Sequence, residues 1–280
     1  MVDAAQYVRE SEGGEPLSGS LFERLHRYRF ALWNLILKDF RVRYRNMSLG
    51  VLWSLLNPLV MLGVLVIVFS YIHPSRHANF FPIFLLLGMV TYNFFSLCLP
   101  PATNAVVENA ALVKKVIFPR ELIPVSVVLS QVVHLLIQLA LLLVFLLLFR
   151  VPPRTAWLLV PALFAAEMVF IMGAAMLCSA LNVFYRDILY LVQSLLTVLF
   201  WLTPIFYDLK QVKLNLPRPL YLLYILNPLA GYIDAVRFAV LGERPLDLEA
   251  LCMALAVTLF TLLLGMRVFR ARQPHFADKL

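Results

Sequence analysis

Charge is scarce in this sequence: 14% of its 280 residues are Asp, Glu, Lys or Arg, 62% are hydrophobic, and the mean hydropathy is +0.84. A surface so poor in charge does not dissolve in water, which excludes a soluble enzyme. A nucleotide-binding loop of the form GxxxxGK is missing too, because none of the ten glycines precedes a lysine. HExxH and GxSxG are absent, as is the cluster of acidic residues that a membrane-embedded transferase would need to hold metal ions. The three cysteines, Cys98, Cys178 and Cys252, lie in or at the ends of apolar runs. That leaves no loop-cysteine pattern for a disulfide framework or a zinc site. Residues 1–20 carry Asp3, Glu10, Glu12 and Glu15 and no apolar core, so they read as a disordered cytoplasmic leader and not as a secretory signal.

What is abundant is long apolar runs. A hydrocarbon core of about 30 Å needs about 20 helical residues at about 1.5 Å each. Six runs meet that length, at about 51–72, 80–99, 122–149, 156–181, 188–207 and 248–269. The fold class is therefore an all-α membrane protein, with 21–280 as one transmembrane domain, since neither an internal repeat nor a linker divides it. With the N-terminus inside, sixteen of the 24 lysines and arginines fall on the cytoplasmic side, which puts both termini in the cytoplasm. The net charge of +8 then reflects cytoplasmic loading and gives no reason to expect nucleic acid.

Three segments do not span. In 21–45 the polar residues Arg24, Arg27, Asn34, Lys38, Arg41 and Arg45 recur at helical spacing opposite Leu25, Leu32, Trp33 and Ile36. This predicts a helix along the membrane interface. Thr103 to Phe118 reads as a shorter amphipathic stretch, opened by Pro100 and Pro101 and ended by Pro119. Leu220 to Leu226 and Leu229 to Leu241 are apolar pieces split by Asn227 and Pro228, each too short to cross. They read as half-helices on the outer face, and non-helical backbone at membrane depth survives only around protein or a water-filled cavity. They form a candidate outer gate.

Glu167 is the one acidic residue deep inside a span, where a charge costs at least about 2.5–3.5 kcal/mol. His134 lies at similar depth on the neighbouring span, beside Gln131 and Gln138. Two readings stand: a Glu167–His134 contact that holds the helices together, and a proton or substrate site. Arg41, Arg43 and Arg45 sit where the chain turns into the membrane and fit either an interfacial anchor or a phosphate-binding fork. Aromatic residues crowd the span ends; most suit the interfacial belt, and some suit sliding contact with sugar rings.

Five ordered motifs resemble the membrane subunits of ABC-2 type polysaccharide exporters. They are KDFRVRYRNMSLGVLWSLLNPLVML from Lys38 to Leu62, LVKKVIFPRELIPVS from Leu112 to Ser126, SALNVFYRDILYLV from Ser179 to Val192, WLTPIFYD from Trp201 to Asp208, and LNPLAGYIDAVR from Leu226 to Arg237. The resemblance implies a homodimer in the bacterial inner membrane with two copies of a separate ATPase subunit, which would bind the ATP and magnesium, this chain holding no cofactor. It implies a coupling helix seated in the ATPase through Glu108, Lys114, Lys115 and Arg120. Arg41, Arg43 and Arg45 would meet a lipid-linked diphosphate at a cytoplasmic gate. The glycan would thread past Trp53, Tyr92, Tyr185 and Trp201, and Asn227, Pro228, Asp234 and Arg237 would belong to a periplasmic gate. The motif spacing is closest to exporters of O-antigen, with capsular polysaccharide and teichoic acid as alternatives. A proton-coupled secondary transporter resting on Glu167 and His134 is the alternative from another class.

Overall fold

Backbone polar groups find no water in hydrocarbon, so a chain of this apolarity closes its hydrogen bonds within helices. The computed structural model describes residues 28–44, 56, 59–64, 67–68, 80–115, 118–242 and 245–280, and among these there are helices and no strands. In chain order they are α1 (Arg29–Tyr44), α2 (Phe81–Glu108), α3 (Ala110–Lys115), α4 (Leu122–Ser130), α5 (Val132–Leu148) and α6 (Val160–Phe184). Then follow α7 (Ile188–Leu202), α8 (Leu209–Asn215), α9 (Arg218–Tyr224), α10 (Pro228–Leu241), α11 (Leu248–Arg272) and α12 (Phe276–Lys279).

Four stretches among the described residues are long and apolar enough to cross a membrane: Phe81–Glu108, Leu122–Leu148, Thr155–Phe184 and Leu248–Lys279. The apolar run at 51–72 lies largely outside the described residues. The run at 188–207 yields a helix of only 15 residues, α7. That is about 22 Å long, short of the hydrocarbon thickness.

The most deeply packed helix is α2, with Ile83, Leu85, Leu86, Cys98 and Ala102 wholly buried against α4, α5, α6, α7 and α10. It corrects the expectation that Pro100 and Pro101 end the second span, because the helix continues through both to Glu108. A proline has no N–H, so Pro101 leaves the carbonyl of Leu97, four residues back, without its helical donor. The amide of Gln131 supplies one, donating from Nε2 to Leu97 O at 3.2 Å. A neighbouring side chain thus re-satisfies the backbone that proline frees.

The closest seam joins α6 and α11. A Cβ on Gly265 would stand 2.2 Å from the carbonyl oxygen of Gly173, and one on Gly173 would stand 2.6 Å from the Leu262 backbone. Small residues let the two backbones touch, which is how helices associate where water supplies no hydrophobic drive. The α10–α11 crossing uses the same device at Gly231, whose Cβ would meet Ala250 O at 2.5 Å.

Candidate gate and coupling surfaces

After Leu202 the helix stops, and the backbone of 203–206 stays buried, with Thr203 and Ile205 fully enclosed. Buried carbonyls outside a helix need donors. Arg237 of α10 provides them: Nη1 donates to Pro204 O at 2.7 Å and to Tyr207 O at 3.2 Å, and Nη2 donates to Ile205 O at 2.7 Å. Nε and Nη2 also reach Phe84 O on α2 at 3.3 and 3.2 Å, and the guanidinium lies 3.4 Å from the centre of the Phe84 ring. Gly88 makes room for it, since a Cβ there would come within 2.8 Å of Nη2. A buried cation is costly alone, and the convergent carbonyl dipoles offset that cost. One side chain therefore ties together α10, the end of α7 and the start of α2.

Asn227 caps α10 by accepting from Leu229 N at 3.2 Å and donates to Thr203 Oγ1 at 2.8 Å. Pro228 opens the helix where its missing N–H leaves nothing unpaired. The Tyr207 hydroxyl donates to Leu202 O at 2.9 Å and lies 3.2 Å from the Tyr224 hydroxyl. Asp234 accepts from Asp247 N at 3.2 Å. Of the four residues assigned to a gate from the sequence, Asn227 and Arg237 both converge on the broken segment, while Asp234 faces the start of α11.

A charged rim, missed in the sequence reading, holds α8 and α9 to α11. Asp247 caps α11, accepting from Glu249 N and Ala250 N at 3.2 and 3.3 Å. It also accepts from Lys213 at 2.6 Å and from the Tyr221 hydroxyl at 2.8 Å, and Arg218 forks Glu249 at 2.6 and 3.1 Å. Burial pushes the Asp247 carboxyl up, but the hydrogen bonds from Lys213, Tyr221 and Ala250 outweigh it and hold the group below its ordinary range. Lys213 is raised, chiefly by its hydrogen bond to Asp247. The sequence signal was an Asp directly before an apolar helix with Glu two residues on.

The surface of the shorter α7 differs from that of the long apolar helices. Tyr190, Gln193, Ser194, Thr197 and Trp201 are all exposed and recur at helical spacing, beside an exposed apolar stripe of Leu191, Leu195, Val198 and Leu202. Only Val192 and Leu196 of α7 are buried. Tyr185, just before it, is exposed as well. Tyr92 is turned inward: it donates to Leu196 O and packs edge-on against Phe200 at 5.3 Å, fastening α2 to α7. Trp53 lies outside the described residues.

At the other end, Glu108 on the last turn of α2 accepts from Asn104 Nδ2 at 2.8 Å. The six-residue α3 buries Val113 and exposes Lys114 and Lys115. Arg120 donates to Gln273 O at 2.6 Å. Phe276 is wholly buried with its ring 5.3 Å from Phe269 and 6.2 Å from Phe184, worth about 1.5–3 kcal/mol by area. Arg41 is exposed on α1, which packs against α4. Arg45 and the side chain of Arg43 lie outside the described residues.

Glu167 is buried in mid-α6 within electrostatic reach of Tyr232, whose hydroxyl is paired with Thr258 Oγ1 at 2.6 Å. His134 is buried on α5, whose neighbours are chiefly α2 and α4. Among the described residues no group of His, Cys, Asp and Glu is placed to hold a metal ion.

Residues 31–241 match the family described as ABC-2 type transporter. The chain is 29% identical over 260 residues to the O-antigen export system permease protein of Myxococcus xanthus, covering 93% of this chain and 99% of that one. It is 27% identical to the corresponding permease of Klebsiella pneumoniae, over 87% of this chain and 92% of the relative. It is 23% identical to the polysialic acid transport protein of Escherichia coli, over 85% of this chain and 92% of that one.

Proposed function

The chain belongs to the ABC-2 type transporter family, and we propose that it is the membrane subunit of an ATP-driven exporter of O-antigen carried on a polyisoprenyl diphosphate. The observation that carries this is the likeness, over nearly its whole length, to a permease named for O-antigen export. The likeness to a polysialic acid transporter favours capsular polysaccharide as the second reading.

Two copies of this chain would frame the passage, with both termini in the cytoplasm of a bacterial inner membrane. The polar and aromatic stripe on α7 supports that arrangement, because exposed Gln193 and Thr197 are unfavourable against lipid tails and suit hydroxylated sugar rings sliding past Tyr190 and Trp201. Arg41, with Arg43 and Arg45, would receive the diphosphate end, since a guanidinium forks phosphate oxygens. The segment α8–α10 would form the periplasmic gate, hung on Arg237.

The chain has no phosphate loop, so the work would come from ATP and magnesium bound in two partner ATPase subunits. Closure of the ATPase pair would be passed on through α3, with Lys114 and Lys115 facing it, and the gates would open in turn. The test is to express the chain with a partner ATPase subunit and assay glycan reaching the cell surface. Lys114→Glu with Lys115→Glu should release the ATPase and stop export while the membrane subunit accumulates normally. ATP hydrolysis by the purified chain alone, or export without an ATPase, would overturn the reading.

A further inference from the structure

We infer that residues 273–280, which follow α11, are a brace that sets the direction of the coupling helix α3, so that the ATPase docks on α3 and this segment together. The inference rests on the assignment of α3 as the coupling helix.

A six-residue helix cannot hold itself in water, because nucleation fixes several residues' backbone angles for a single hydrogen bond and so short a helix adds too few more to offset that cost. The direction of α3 must come from what it touches. On one side the Lys38 amine of α1 donates to the Asn109 side chain at the turn before α3. On the other, α12 packs against α3 and against the end of α6. Three contacts then fasten the segment 273–280 to the bundle. Phe276 is sealed between Phe184 and Phe269, Leu280 packs on the core, and Arg120, just beyond α3, holds the Gln273 carbonyl at 2.6 Å. Arg272 covers the Phe184 ring at 4.9 Å and closes the aromatic plug.

The segment has an outward side as well. His275, Asp278 and Lys279 are exposed beside Ala111, Lys114 and Lys115 of α3. The lysines dominate this composite surface, so the complementary partner is a groove of the ATPase lined with carboxylates. The brace acts on α3 and not on nucleotide, which makes Phe276 and Arg120 positioning residues.

The experiment uses the chain co-expressed with its ATPase and purified as the complex, with Mg-ATP hydrolysis, ATPase retention and surface glycan as readouts. Phe276→Ala should leave the abundance of the membrane subunit near that of the parent, while ATPase retention and export fall several-fold. Hydrolysis per retained ATPase should stay unchanged. Phe276→Leu, which refills the apolar plug, should restore most of both. Parent-level retention and export in Phe276→Ala would overturn the brace. If that variant fails to accumulate, Leu280→Ala, at a residue with no assigned ATPase contact, carries the same test with the plug intact: reduced retention supports the brace, and parent-level retention overturns it. The Lys114→Glu, Lys115→Glu pair separates the two ideas. If it releases the ATPase and the brace variants do not, only the brace fails; if it too retains the ATPase, the coupling assignment itself fails.

Discussion

The seam between α6 and α11 and the surface of α7 lie in one bundle and follow opposite rules. At the seam, Gly173 and Gly265 bring two backbones into contact, and nothing but hydrogen fits between them. On α7, two side chains in fifteen are buried, and the exposed face carries an amide, three hydroxyls and two aromatic rings. A helix built for permanent packing uses small residues. One that exposes Gln193 and Thr197 within an apolar stretch is built to face something other than lipid. On the proposed function, the difference separates the parts of the molecule that hold shape from the part that would meet cargo.

The largest effect should come from breaking the seam. Gly265→Leu sets a Cβ 2.2 Å from the Gly173 carbonyl, a backbone atom that cannot step aside, so α6 and α11 must separate. The expected result is near-complete loss of the chain from membranes, read by immunoblot. Parent-level accumulation would show that the seam tolerates repacking.

Next in size is Arg237→Gln, which strikes the junction of the two regimes. It removes the donors for Pro204, Ile205 and Tyr207 together, and each buried carbonyl left unpaired costs about 1–3 kcal/mol. Accumulation should fall several-fold and export further still. Arg237→Lys keeps the charge but offers no planar fork, so it should recover part of the stability and little of the export.

Smaller in stability, though not in function, is the change on α7. Gln193→Leu with Thr197→Leu removes the amide and one hydroxyl from the stripe, and neither side chain is buried within the chain. Accumulation should equal that of the parent while export drops several-fold. Unchanged export would place the passage elsewhere and dissolve the contrast between α7 and the seam.

Local features were legible in the sequence, and remote compensation was not. The break at Asn227 and Pro228 could be read because a cap and a first-turn proline act on their own helix, and α10 does begin at Pro228. The pair at Pro100 and Pro101 was misread as a helix end because the group that repairs it, Gln131, is thirty residues away. The run at 188–207 reads as one continuous helix because hydropathy continues through Ile205 and Phe206, yet the helix ends at Leu202, just before Pro204, and Arg237 makes that break tolerable. Arginine at a distance leaves no mark on a hydropathy profile. The polar stripe on α7 was within reach, since Tyr190, Gln193, Ser194, Thr197 and Trp201 recur at helical period; it was overlooked because the span as a whole is so apolar.

The smallest predicted effect lies at the charged rim, where two contributions of Asp247 can be separated. As the cap of α11 it satisfies two backbone donors, worth about 1 kcal/mol, and as a charge it pairs with Lys213 near the surface, worth a few tenths to about 1 kcal/mol. Asp247→Asn keeps a capping oxygen and discards the charge, so it should lower the melting temperature of the detergent-solubilised chain less than Asp247→Ala does. The pH dependence has a definite sign. A carboxyl whose folded pKa lies below its unfolded one stabilises the fold above the ordinary Asp range, about 4, and that stability drains away as pH falls through the folded value. Lys213, raised in the folded state, contributes below the ordinary Lys range and loses its share as pH climbs past it. The melting temperature of the parent should therefore sag below about pH 4 by more than that of Asp247→Asn, which has no carboxyl at this position to titrate. Equal acid sensitivity in the two would mean that the rim is held by its caps and by Arg218 with Glu249, and that the Lys213–Asp247 charge pair adds nothing measurable.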